Sequence, residues 1–292
     1  TKERLIHIAS QFALEGEVVA IEALGEGFIN DTFVVRTAGD APDYILQRKN
    51  HVVFPDVPAM MANIKAVTEH IKAKVADPMR ETLTIVPAKD GKLYVEEGEN
   101  YWAVCLYIPN TVTYERADSV SLAYQGGVGI GRFQSLLADY DKPLNETIKG
   151  FHNIRWRFEQ WDATLAADPV GRVKEVSQEI GWIESRRDEM LSFWARVESG
   201  EIPTRVTHND TKISNILFDA DTDDAYDDDE NRYLHAGETL YLKCGNEKGS
   251  GHKIRNPCSC GCLFKEVIKM CKCFLVFSFT ETFVCQFKNL IA

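Results

Sequence analysis

No stretch of this chain is apolar for long enough to cross a bilayer. A spanning helix needs ~18 or more consecutive apolar residues. The run Cys273-Phe-Leu-Val-Phe-Ser-Phe-Thr-Glu-Thr-Phe-Val-Cys285 is both shorter and broken by Glu281. Thr1-Lys2-Glu3-Arg4-Leu5 offers no apolar signal core, so export is not expected. Basic charge is also scarce: 33 Lys and Arg stand against 44 Asp and Glu, a formal net charge of -11. Phosphate backbones demand clustered cations, so nucleic acid is not an expected partner. A soluble cytoplasmic protein with no membrane association is expected, and the sequence carries no signal for an oligomeric state. Cysteine is nearly absent from most of the chain. Only Cys105 precedes Cys244, and the other seven fall between Cys244 and Cys285. Two compositions therefore share one chain.

What is present suits an enzyme core. The 292 residues are 45% hydrophobic, enough for one two-lobed enzyme. Apolar positions Leu5, Ile6, Ile8, Ala9, Phe12 and Ala13 form a helical stripe over residues 2 to 14. Strands are predicted over Val18–Leu24, Thr32–Arg36 and Asp43–Lys49. The first two enclose Gly25-Glu-Gly-Phe-Ile-Asn-Asp31, a turn able to fold over a nucleotide's phosphates, since glycines admit close approach and turn amides donate. On the third strand a phosphate-gripping role falls to Gln47, Arg48 or Lys49, with Gln47 and Lys49 on one face and Arg48 on the other. A helix follows over Pro58–Ala76, then strands near Leu83–Val86, Lys92–Glu96 and Tyr101–Ile108. Pro109-Asn110 breaks the last, as an interlobe hinge would. Leu106 to Ile108 are the candidates for backbone contact with an adenine ring.

Beyond the hinge the pattern turns helical. Ser119 to Tyr140 carries a capping Ser and four glycines, Gly126, Gly127, Gly129 and Gly131, expected to allow close helix packing. Further helices are expected over Trp161–Ala167 and, as one or two, Gly171–Glu198. Then Thr204-Arg-Val-Thr-His-Asn-Asp-Thr-Lys-Ile-Ser-Asn-Ile-Leu-Phe218 places a polar loop between two short apolar runs read as buried strands. His208-x-Asp210-x-x-x-x-Asn215 is the spacing of a phosphoryl-transfer loop. There an Asp orients the acceptor hydroxyl and takes its proton, while an Asn binds a magnesium ion bridging the phosphates. Lys212 would reach the transferring phosphate, and His208 would brace the loop from beneath.

These stretches together resemble the aminoglycoside phosphotransferase/choline kinase superfamily and, within it, the N-acetylhexosamine 1-kinases. The likeness runs through Ile8–Gly16, Gly25–Asn30, Tyr44–Gln47, Phe133-Gln134, Phe151-His152, Arg157–Glu159, Leu165–Asp168, Gly171-Arg172 and Ile202–Leu217, covering residues 1 to about 220. It implies an α+β, bilobal, protein-kinase-like fold. The expected division is a nucleotide-binding N-lobe over 1–108, a C-lobe with the catalytic loop over 109–226, and an atypical tail over 227–292. It also implies ATP and Mg2+ as cofactors and a small-molecule sugar as substrate, phosphorylated at its anomeric hydroxyl. By resemblance Asp210 is the catalytic base, Asn215 a magnesium ligand, Gly25 and Gly27 the phosphate loop, and Asn30 a residue near the reacting groups.

The resemblance stops after Leu217. Relatives continue with an apolar strand ending in Ile-Asp-Leu-Asp, whose first Asp holds the second metal site. Here Asp219-Ala-Asp-Thr-Asp-Asp-Ala-Tyr-Asp-Asp-Asp-Glu-Asn-Arg232 follows. No apolar strand is expected there to fix an acid, although Glu230 or Asp229 lies at a suitable distance to substitute. The alternative is an acidic run without a role. The tail's Cys258-Ser-Cys-Gly-Cys262 and Cys271-Lys-Cys273 suit zinc less well than Cys-x-x-Cys pairs, so the tail is expected to be foreign to the fold. Two further functions stay open: a nucleotide-binding protein impaired in catalysis, and a kinase of the same superfamily acting on choline, homoserine or an aminoglycoside.

Overall fold

A computed structural model of the chain describes residues 1–25, 29–221 and 233–236. Gly27, Glu230 and, apart from residues 233–236, the tail over 227–292 lie outside the described residues. Two compact units are distinguished. The first holds Thr1–His152 with the chain from Val197, and the second holds Asn153–Arg196.

The first unit opens with helix α1 (Lys2–Ala9), capped by Thr1. An antiparallel sheet follows, of β1 (Val18–Ala23), β2 (Asp31–Thr37), β3 (Tyr44–Lys49), β4 (Ile85–Val86), β5 (Val95–Glu97) and β6 (Asn100–Leu106). Their order is β1-β2-β3-β6-β4, with β5 also on β6. Helix α2 (Val57–Lys72) interrupts the strands, with Asp56 capping it and Pro58 in its first turn. Strand alternation gives the sheet two apolar faces. Tyr44, Leu46, Trp102 and Val104 pack with Ile8, Ala9 and Phe12 on the α1 side. Ala103 on the other face joins Val57, Met61, Ile64 and Val67 of α2.

That second core continues into the helical part. Phe133 and Leu137, from helix α3 (Val120–Leu136) and its cap, share it with Val206 just before the polar loop. Strand β7 (Thr111–Val112) pairs with β8 (Ile216–Asp219), and β8 pairs with β9 (Tyr233–Ala236). The sequence thus misjudges two strands. Val206 makes a lone bridge and is held by burial rather than by a ladder. Conversely, β9 forms where no strand was expected, because Tyr233-Leu-His-Ala is free of the acids that crowd the preceding run.

In the second unit, α4 (Ile154–Ala167), a 3-10 turn over Val173–Val176, α5 (Ser177–Glu184) and α6 (Arg187–Glu198) follow one another. Neither α5 nor α6 buries a residue fully. A polar clamp organises the unit instead. Arg187 pairs with Asp162 and Glu184 and lies 4.4 Å from the Phe158 ring centroid, while Trp161 Nε1 donates to Glu184 at 2.8 Å.

Two polar ties join α2 to the segment around α3. Asn63, 3% exposed, donates Nδ2 to the Asn145 carbonyl at 2.9 Å and accepts the Asn145 N–H at 2.8 Å. Replacement by Leu strands both main-chain groups, with an expected loss of about 1–3 kcal/mol, read from urea or thermal melts. At the end of α3, Lys74 first and His70 second hold the Asp139 carboxyl at about 2. A depressed carboxylate contributes stability above its ordinary pKa and loses it as pH falls through the folded value. Asp139→Asn should therefore flatten the pH dependence of unfolding between the ordinary carboxylate range and about pH 2. A slope equal to that of the parent protein would show the tie to be without effect.

Candidate active site

The loop predicted to carry the chemistry is built from its buried end. His208 is fully buried, its ring edge-on to Phe133 of α3 at 5.7 Å between centroids. Its Nδ1 accepts the Asp210 N–H at 3.3 Å. Between them Asn209 takes a left-handed conformation, φ 62°, and its Oδ1 accepts a hydrogen bond from Thr207 Oγ1. Asn is among the few side chains that adopt this region readily. The reversal turns Asp210 away from the core while His208 stays in it.

Asn215 closes the loop from the far side. Its Nδ2 donates to the Asp210 main-chain carbonyl at 2.9 Å and to Oδ2 of the same residue at 2.8 Å. A 3-10 turn over Ile213–Asn215 makes this reach possible, with the Asn215 N–H donated to the Lys212 carbonyl at 3.0 Å. The sequence does not announce that turn. Lys212 itself is exposed. Beneath, α3 packs on the turn at Gly126: a Cβ there would lie 3.6 Å from Ile216 Cδ1 and 3.8 Å from Ile213, in ordinary van der Waals contact. An alanine would fit there, so the close packing expected of the α3 glycines does not depend on this position. Gly127 and Gly131 face nothing within 4 Å among the described residues.

The proposed nucleotide residues separate by face. Gln47 donates Nε2 to Thr32 Oγ1 at 3.1 Å and accepts from Lys49 Nζ at 2.5 Å; Lys49 is 3% exposed. Arg48 turns to the opposite, α1 side, where it pairs with Asp31 and donates to Asn100 Oδ1. Gln47 and Lys49 thus share one face and Arg48 takes the other, as strand alternation implies. Asn30 Oδ1 accepts the Asn50 N–H at 3.0 Å, tying the exit of the glycine turn to the end of β3. Gly25 has φ 65°, a conformation that favours glycine, with open space around it.

The segment after β6 is also partly committed. The Leu106 N–H bonds Thr84 O at 2.9 Å and the Tyr107 N–H bonds Asp43 O at 3.0 Å, while Leu106 packs against the α1-side core. The Leu106 amide and side chain are thus engaged by the sheet. Ile108 is buried, and its carbonyl accepts Thr111 Oγ1. Asp219, on β8, accepts the Asp221 N–H and pairs with Arg80 at 2.5 Å. The Asp221 amide first and Arg80 next hold its carboxyl below the usual range, against the opposing effect of burial. Sequence reading does not single out Arg80, because a charge in a loop looks like a solvated one.

The fit to a magnesium ion is incomplete. With its nitrogen on Asp210, Asn215 leaves Oδ1, an oxygen of the kind magnesium prefers. Strand β9 carries no carboxylate, and the expected acid, Glu230, lies outside the described residues. Among the described residues no group of three or more His, Cys, Asp or Glu is gathered as a metal site. Nor is any helix among them long and apolar enough to cross a membrane.

The left-handed Asn209 gives a direct test of the loop's construction. Asn209→Gly should leave the melting curve nearly unchanged. Asn209→Val, whose branched side chain resists positive φ, should cost about 1–2 kcal/mol, measured by chemical denaturation.

The sequence model of the phosphotransferase enzyme family (APH) matches residues 20–225. Among solved structures, spectinomycin phosphotransferase is similar at 12% identity over 82% of this chain and 71% of its own, with TM-score 0.46. An aminoglycoside phosphotransferase from Alicyclobacillus acidocaldarius shares 13% over 82% and 66%, TM-score 0.45. Ethanolamine kinase from Plasmodium vivax shares 10% over 77% and 57%, TM-score 0.46. The sequence match decides the assignment, since it spans more than half of the chain and ends within the acidic run that starts at Asp219. This α+β chain belongs to the phosphotransferase enzyme family.

Proposed function

We propose that the chain transfers the γ-phosphate of ATP to the anomeric hydroxyl of an N-acetylhexosamine. The observation that carries the transfer is the doubly held Asp210, whose carboxylate is fixed by the Asn215 amide on a turn seated over buried His208. A carboxylate fixed in this way is preorganised to accept a proton, which spares reorganisation during the reaction. The acceptor oxygen attacks the γ-phosphorus, the bond from that phosphorus to the ADP oxygen breaks, and the hydroxyl proton passes to Asp210. Asn215 Oδ1 would hold a magnesium ion, which when bound neutralises charge developing on the phosphates. Lys49, buried beside Gln47, is the strand cation on the face expected to meet the nucleotide. The amido-sugar acceptor is supported by the pattern Ile202–Leu217 and by the matching stretches before it.

A second reading has its own observation. Strand β9 stands where relatives hold a metal-binding Asp, and Tyr233-Leu-His-Ala offers none. That favours a protein able to bind nucleotide but impaired in transfer.

A coupled ADP-release assay with magnesium, run against N-acetylhexosamines, choline, ethanolamine, homoserine and aminoglycosides, separates the readings. The expected result is turnover with an N-acetylhexosamine. Asp210→Asn should lower kcat by about 10²- to 10⁴-fold while nucleotide binding persists. Turnover confined to amino alcohols would replace the acceptor, and nucleotide binding without transfer to any of them would favour the impaired protein. Full activity in Asp210→Asn would remove that residue from the mechanism.

A further inference from the structure

Arg80 and Glu81 are adjacent in the connector between α2 and β4, and each reaches a different support of the polar loop. Arg80 Nη1 donates to the Pro109 carbonyl at 2.8 Å, and Nη2 lies 3.4 Å from the Asn110 carbonyl and 2.5 Å from Asp219 Oδ2. Asp219 ends β8, the strand that begins immediately after Asn215. Glu81, its side chain 8% exposed, pairs with Arg132 of α3. Helix α3 is the element whose Gly126 packs on Ile213 and Ile216 and whose Phe133 meets His208. The connector itself is preset. Asp77 accepts the N–H groups of Arg80 and Glu81 through its carbonyl, and Glu81 Oε1 accepts the Asp77 N–H.

The same place gathers further ties. Asn110 has φ 55°, its carbonyl accepts the Ala220 N–H at 3.0 Å, and its side chain donates to Asp221 Oδ2. A planar guanidinium can serve two carbonyls and a carboxylate at once, which an ammonium on a flexible stem does poorly.

We propose that Arg80 and Glu81 form a positioning pair that holds the post-β6 segment, β8 and α3 in one register and thereby sets where Asp210 and Asn215 stand. The proposal rests on the reading of Asp210 and Asn215 as the transfer site. Neither residue touches the reacting atoms. Their effect is on kcat, since a small misplacement of a reacting group costs rate rather than affinity.

The test compares Arg80→Met, Arg80→Lys and Glu81→Gln with the parent chain, reading kcat, KM for acceptor and nucleotide, melting temperature, and amide hydrogen exchange at Ala220 and Asn215. Arg80→Met is expected to lower kcat roughly 10- to 100-fold with KM little changed and the Ala220 amide exchanging faster. Arg80→Lys should recover only part of kcat, and millimolar guanidinium added to Arg80→Ala should restore some of it where methylammonium does not. Parental kcat in Arg80→Met would overturn the proposal, as would a loss appearing only in KM, or full recovery by Lys. If Arg80→Met does not fold, Glu81→Gln reads the α3 arm by the same kcat and KM split. Should Asp210→Asn keep its turnover, the transfer reading fails by itself. The exchange experiment then still decides: a faster Ala220 amide supports the pair, and an unchanged one overturns it.

Discussion

One side-chain amide does two things at the centre of this structure. Asn215 binds the carboxylate of Asp210 and, through the same nitrogen, the carbonyl of the same residue. The first bond fixes the acid's rotamer and the second fixes the turn that presents it. A carboxylate on a loop would otherwise sample several orientations, and ordering it would cost conformational entropy at each turnover. Here that cost is met by folding. The bond depends on the 3-10 turn, and Ile213 and Ile216 at that turn sit against α3 beside Gly126.

The supports of the loop differ in kind, and the difference is physical. Beneath it lies an apolar core shared by α2, α3 and Val206, with His208 as the polar group admitted to it. Beside it lie hydrogen bonds and ion pairs, through Arg80, Asp219, Asn110 and Arg132. Apolar packing resists compression but tolerates sliding, because it has little directionality. The polar contacts are directional, so they set register. In the second unit the balance shifts further toward polar contacts, with Arg187 taking two carboxylates and an aromatic face where α5 and α6 bury little.

Much of this was legible in the sequence, for identifiable reasons. The strand patterns over Thr32–Arg36 and Asp43–Lys49 pointed to the sheet, and the stripe Met61, Ile64, Val67, His70 and Ile71 pointed to α2. The spacing of His208, Asp210 and Asn215 drew attention to the loop because its residue types are chemically constrained. What stayed hidden depended on distant partners. Arg48 and Lys49 differ by one position, and only the register with Asp31 and Asn100 shows which of them is spent in an outer ion pair. Leu106 reads as a hinge residue until Thr84 takes its amide. Strand β9 was missed because the acids before it dominate the local composition, while pairing with β8 depends on a few neutral residues.

The left-handed Asn110 places a limit on chain length as well as on residue type. Its carbonyl and side chain are bound to Ala220 and Asp221, and Thr111 stands opposite Asp219 in the next ladder. Removing or adding one residue between Tyr107 and Asn110 would slip that ladder and turn Val112 to the other face, since side chains alternate along a strand. Natural variation in this stretch should therefore come as substitution, while insertions and deletions gather in the looser turns elsewhere on the surface.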